Sequence, residues 1–129
     1  MRFVVVLTAT LLLVTTSSRA SFAQFAPDSA DKYAAIAFSP VSGRHTDASD
    51  RPSRAAAEQA AIAQCRQDGS MCSAPVWVQN GCVALAIGRA RGFGSGWGSD
   101  RVSAERQALD VCNFKAHGCS IQRTACTGR

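Results

Sequence analysis

Two glutamates hold matching places in two similar stretches, "AEQAAIAQCRQDGSMC" (57–72) and "AERQALDVCNFKAHGC" (104–119). On a helix, Glu58 shares a face with Ala61, Ile62 and Cys65, and Glu105 does the same with Ala108, Leu109 and Cys112. A carboxylate at the rim of an apolar stripe needs hydrogen bonds or a cation. Brought together across a two-fold axis, the two would make an acid–base pair of the kind a small hydrolase uses on wall glycans. The plainer expectation is that each Glu takes N–H groups or an Arg within its own unit and locks helix to hairpin. Duplication favours the plainer one, because a copied element is copied with its supports.

The six cysteines invite metal, redox or structural chemistry. Structural zinc favours Cys-x2-4-Cys, whereas Cys65/Cys72 and Cys112/Cys119 are both Cys-x6-Cys. His117 in the second loop is matched by Ser70 in the first, so a His ligand is not part of the repeated device. Redox pairs favour Cys-x-x-Cys, which is absent. Staples are therefore expected, with no metal and no cofactor. Six cysteines allow fifteen pairings that spacing cannot separate. Duplication separates them: Cys65–Cys72 implies Cys112–Cys119, which leaves Cys82 for Cys126. In the loop-entropy picture each short closure stabilises by roughly 2.5 kcal/mol and the long one by roughly 4 kcal/mol.

The third candidate is "RGFGSGWGSD" (91–100), with glycine at every second position from 92 to 98. No phosphate-loop or dinucleotide spacing fits it. Alternating glycines describe a strand or wide loop with one face stripped of side chains, so that something lies close against the backbone. Either a ligand or partner strand meets Phe93 and Trp97 there, or the second helix or other unit packs there and Trp97 plugs the core. The packing option is the stronger expectation. Trp77 in "APVWVQ" reads as a strand residue turned to the core, and is the third aromatic candidate for contact. His45 falls in a polar hairpin segment and His117 in a cysteine-flanked loop next to Gly118, and no serine sits in Gly-x-Ser-x-Gly. A catalytic set is not apparent.

What must position these residues is a doubled unit. "YAAIAFS" (33–39) is an apolar run ended by Pro40 and Gly43, hence a buried strand, and "RHTDAS" returns beside it. Ser53 caps a helix from Arg54, and "APVWVQ" (74–79) is a further strand. "CVALAIG" (82–88), a cap at Asp100, "RVSAERQALDVC" and "SIQRTAC" (120–126) repeat the series. The fold class expected is α+β: two tandem strand-strand-helix-strand units, 33–81 and 82–126, with pseudo-two-fold symmetry in one small disulfide-stapled domain spanning 33–129.

The string from "YAAIAFSPVSGRHTDASDRPSRAAAEQAAIAQC" through "WVQNGCVALAIG", the Gly-Trp-Gly loop and the final Cys-x6-Cys resembles the secreted bacterial family called domain of unknown function 4189, over about residues 33–126. The resemblance implies a small exported α+β domain with intramolecular disulfides, and it brings no catalytic residues.

Compartment and partners follow from the ends and the charge. Met1-Arg2, the apolar "FVVVLTATLLLV" and the small-residue end "SFA" have the layout of a signal peptide over 1–23, followed by a loose leader, 24–32. After cleavage no membrane anchor is expected, and the destination is the periplasm or the outside. Fourteen Lys+Arg stand against nine Asp+Glu, and loss of Arg2 and Arg19 takes the net charge from +5 to +3. That is too weak and scattered a footprint for nucleic acid. The function expected is a non-enzymatic protein-binding module of inhibitor or immunity type, the alternatives being the Glu58/Glu105 hydrolase and a host-directed effector.

Overall fold

The computed structural model describes residues 30–128; the signal-peptide reading of 1–23 and most of the leader lie outside the described residues. Six strands and two helices follow one another as β1 (Tyr33–Phe38), β2 (His45–Arg51), α1 (Arg54–Cys65), β3 (Ser73–Gln79), β4 (Cys82–Ile87), β5 (Phe93–Gly98), α2 (Arg101–Lys115) and β6 (Ser120–Cys126). This is an α+β fold of two strand-strand-helix-strand units. Each unit forms its own antiparallel sheet, in the orders β2-β1-β3 and β5-β4-β6. The glycine-rich stretch is a strand, not a loop.

The two halves share their register over the centre of each sheet and differ at a bulge between Tyr33 and Ala35, which the β4/β5 pair lacks. Ile36 sits opposite Asp47 on one side and Val76 on the other. Leu85 sits likewise between Ser95 and Arg123. Both helices start at the residues that the capping pattern marks. The Ser53 hydroxyl accepts the Ala56 N–H at 3.1 Å, and the Asp100 carboxylate accepts the Ser103 N–H at 2.8 Å.

Strand alternation builds three apolar layers. Ala34, Ile36, Phe38, Val76 and Val78 of the first sheet meet Val83, Leu85 and Ala125 of the second. The opposite face of the first sheet, Ala35, Ala37 and Ala48, receives Ala57, Ala61 and Cys65 of α1. Ala84 and Ala86 of the second sheet receive Ala104, Ala108 and Cys112 of α2. The order is therefore helix, sheet, sheet, helix, with the two helices on opposite outer faces.

Alanines on both helix faces allow close approach to the strands, and in the second unit it is closer still. A Cβ on Gly94 would lie 2.2 Å from the Cys112 backbone N, and one on Gly96 would lie 2.3 Å from the Ala104 carbonyl O. The stripped face of β5 is thus filled by α2. The matching β2 positions carry Thr46 and Ala48, and the Thr46 hydroxyl donates to the Ala61 carbonyl at 2.7 Å.

Disulfides join Cys65–Cys72, Cys112–Cys119 and Cys82–Cys126. The first two tie each helix end to the following strand. The third links directly opposed residues of β4 and β6, where the first unit has Tyr33 facing Gln79. The last leader residues are held at the β3–β4 turn. The Lys32 N–H donates to the Asn80 side-chain carbonyl, and the Asn80 amide NH2 donates to Asp31, both at 2.9 Å.

Candidate binding edge

Stacking the sheets sets β1 over β4, β2 over β6 and β3 over β5. Two double edges result, each made of one edge strand from either sheet. They are built differently. At the β2/β6 edge Arg123 donates to the Asp47 carboxylate, and the Gly128 N–H donates to Asp50 at 2.7 Å. At the β3/β5 edge the corresponding residues are Val76 and Ser95, so no ion pair draws the strands together. A groove of about 580 Å³ opens there, lined by Pro75, Trp77, Gln79, Ser95, Trp97 and Gln107 among others.

Each aromatic is placed by its strand. Trp97 points from β5 toward solvent and is 61% exposed, so it does not plug the core. That expectation fails because α2 lies flat on the glycines and needs no plug. Trp77 is half-buried beside α1, its ring stacked on Tyr33 at 6.3 Å between centroids, with the Arg54 guanidinium 4.5 Å above it. Phe93 is set apart from both. It packs against Phe38 at 4.8 Å in the layer between the sheets, so it belongs to the core rather than to the open edge.

Gln107 escaped sequence reasoning, because nothing in its local pattern distinguishes it from any exposed helix polar residue. It lies on α2 and its side-chain carbonyl accepts the Trp97 N–H at 2.7 Å.

A family model described as a domain of unknown function, DUF4189, matches residues 33–126. The chain belongs to that family. The DUF4189 domain is also similar to the NMR structure of Rv1813c from Mycobacterium tuberculosis, with a TM-score of 0.55, 25% identity and 98% of each chain covered. No curated protein matches it closely enough to lend an activity.

In this DUF4189 domain the hydrolase pairing of Glu58 and Glu105 is not formed. Glu58 lies on α1 and Glu105 on α2, on opposite outer faces of the sandwich. Stacked sheets alone stand about 10 Å apart. Glycosidase carboxylates work across about 5–10 Å of one cleft. Each Glu instead serves its own unit. Arg54 donates to Glu58 at 2.8 Å; Arg101 donates to Glu105 at 3.2 Å, and the Thr124 hydroxyl does so at 2.7 Å. In the first unit Trp77 stands at the Thr124 position, which is why Arg54 reaches over an indole while its carboxylate partner lacks the hydroxyl.

His45 is half-buried with its ring Nδ1 3.2 Å from the Gly43 carbonyl, and His117 is exposed. Among the described residues no group of three His, Cys, Asp or Glu stands close enough to hold a metal. No described helix is long and apolar enough to cross a membrane.

Proposed function

We propose that this DUF4189 domain is an exported, non-enzymatic module that binds another protein along the β3/β5 edge, in the manner of an inhibitor or immunity protein. One observation carries the reading. Matching edges of a doubled fold differ, one being clamped by Asp47–Arg123 while the other is left as a groove with Trp97 exposed at its rim. Tryptophan is among the residues that carry most of the binding energy at protein interfaces, so an exposed one at the rim of a groove fits a surface that a partner covers. Three disulfides suit an oxidising compartment, which supports export.

The test is partner capture from envelope and culture-fluid proteins by the oxidised protein. Capture should fall at least tenfold with Trp97→Ala and should persist with Phe114→Ala, which removes a still more exposed aromatic from α2. Equal loss with both variants, or with neither, would overturn the assignment of the edge.

A further inference from the structure

The protein-binding reading leaves open what form of chain the groove receives. The obvious way for a sheet edge to hold a peptide is to pair with it as an added strand. Both edges here are obstructed. On β3, Pro75 has no N–H to give and falls beside a register shift between Ile36 and Phe38 of the neighbouring strand. On β5, the outward N–H of Trp97 is already taken by the Gln107 side chain. A ladder could not continue past either point.

What remains is a groove that recognises through side chains. Among its six named residues none is charged. The Gln107 carbonyl accepts the Trp97 N–H, which orients the side chain and leaves its NH2 free to donate. The indole N–H groups of Trp77 and Trp97 are donors only, and they make no hydrogen bond among the described residues, nor do the side chains of Gln79 and Ser95. The lining is thus neutral, with the Trp97 indole exposed at its rim and side-chain N–H groups free to donate.

A polyproline II segment is the complement of that lining. It has no internal hydrogen bonds and presents its carbonyls as free acceptors; where it is proline it has no N–H to satisfy, and its rings pack flat against indoles. Resting on the reading of this edge as a protein-binding site, we propose that the β3/β5 groove holds an uncharged, proline-rich segment of the partner in the polyproline II form. Trp97, the exposed indole at the rim, takes a ring, and the amides of Gln107 and Gln79 donate to the carbonyls. The five residues from Pro75 to Gln79 that run along one wall match about five residues of such a segment, at about 3.1 Å each.

The test titrates the oxidised protein with three probes: an end-blocked decaproline, an end-blocked (Thr-Val)4 strand peptide and chitotetraose. The readout is the Trp97 indole N–H and the Gln107 side-chain NH2 resonances, either of which survives substitution of the other. Decaproline should shift both saturably, with at least tenfold weaker binding for Trp97→Ala and about fivefold weaker for Gln107→Leu. Phe114→Ala should bind as wild type. Thermal melts of each variant establish that it is folded. No shift at millimolar decaproline overturns the proposal, as does a larger response to the strand peptide or the sugar. If decaproline fails while partner capture still depends on Trp97, the occupant assigned here is wrong and the protein-binding reading stands. If capture is also indifferent to Trp97, both fall.

Discussion

Asp47 of β2 and Arg123 of β6 form an ion pair between the two sheets, and the residues that occupy their places at the other edge are Ser95 and Val76. At these positions the two halves keep the same backbone register and differ in what closes the edge. One edge holds the sandwich shut, and the other exposes a groove.

Removal of the clamp should be measurable but modest. Both side chains are about a third exposed, 36% for Arg123 and 29% for Asp47, so Arg123→Met should cost about 0.5–1 kcal/mol. Denaturant unfolding at low and at 0.5 M salt checks this. The loss should shrink as salt screens the wild-type pair, and an effect that grows with salt would contradict the assigned role.

The glycine face of β5 should tolerate no side chain. Gly96→Ala places a methyl 2.3 Å from the Ala104 carbonyl and 2.5 Å from the Ala108 N, both backbone atoms of α2 that cannot swing aside. A loss of about 3 kcal/mol or failure to fold is expected. Gly69→Ala meets nothing within 4 Å and is strained only through its φ of +82°, so about 1 kcal/mol is expected there. Thermal melts of the two variants should separate clearly.

The carboxylates should behave as two independent supports. Glu58→Gln and Glu105→Gln each weaken an i,i+4 pair with Arg, and each should cost under about 1 kcal/mol. Because the helices lie on opposite faces, the double variant should equal the sum of the singles within about 0.5 kcal/mol. Coupling well beyond that would mean that the two groups communicate.

Disulfide removal should rank by loop length. Cys82→Ala/Cys126→Ala opens a closure with a sequence separation of 44 and should cost about 4 kcal/mol; Cys65→Ala/Cys72→Ala, with a separation of 7, should cost about 2.5 kcal/mol. Peptide mapping without reduction should yield the three links and no free thiol.

Acid should loosen α2 at its start. Hydrogen bonds from the Ser103 backbone N–H and then its hydroxyl hold the Asp100 carboxyl below the usual range. A lowered folded value contributes stability that is present above the ordinary value, about 3.9, and is lost as pH falls through the folded one. Asp100→Asn keeps an acceptor for the cap and should flatten this part of the acid unfolding curve without abolishing the helix.

The sequence by itself determined the unit and its doubling. Alternation and caps are local, so "YAAIAFS" with its turn, Ser53 and Asp100 read as strand and helix starts without any distant partner. The cysteine pairs became legible because a copied unit repeats its links. Only the tertiary structure decided how the units stack, since two identical sheets can pack through either face. That choice sends α1 and α2 to opposite sides, parts Glu58 from Glu105 and turns Phe93 into the layer between the sheets. It also brings Gln107 to the Trp97 amide, a contact between strand and helix that no spacing encodes. The physical reason is range: hydrogen bonding along a strand or helix turn depends on neighbours in sequence, whereas exposure at an edge depends on which layer lies across from it.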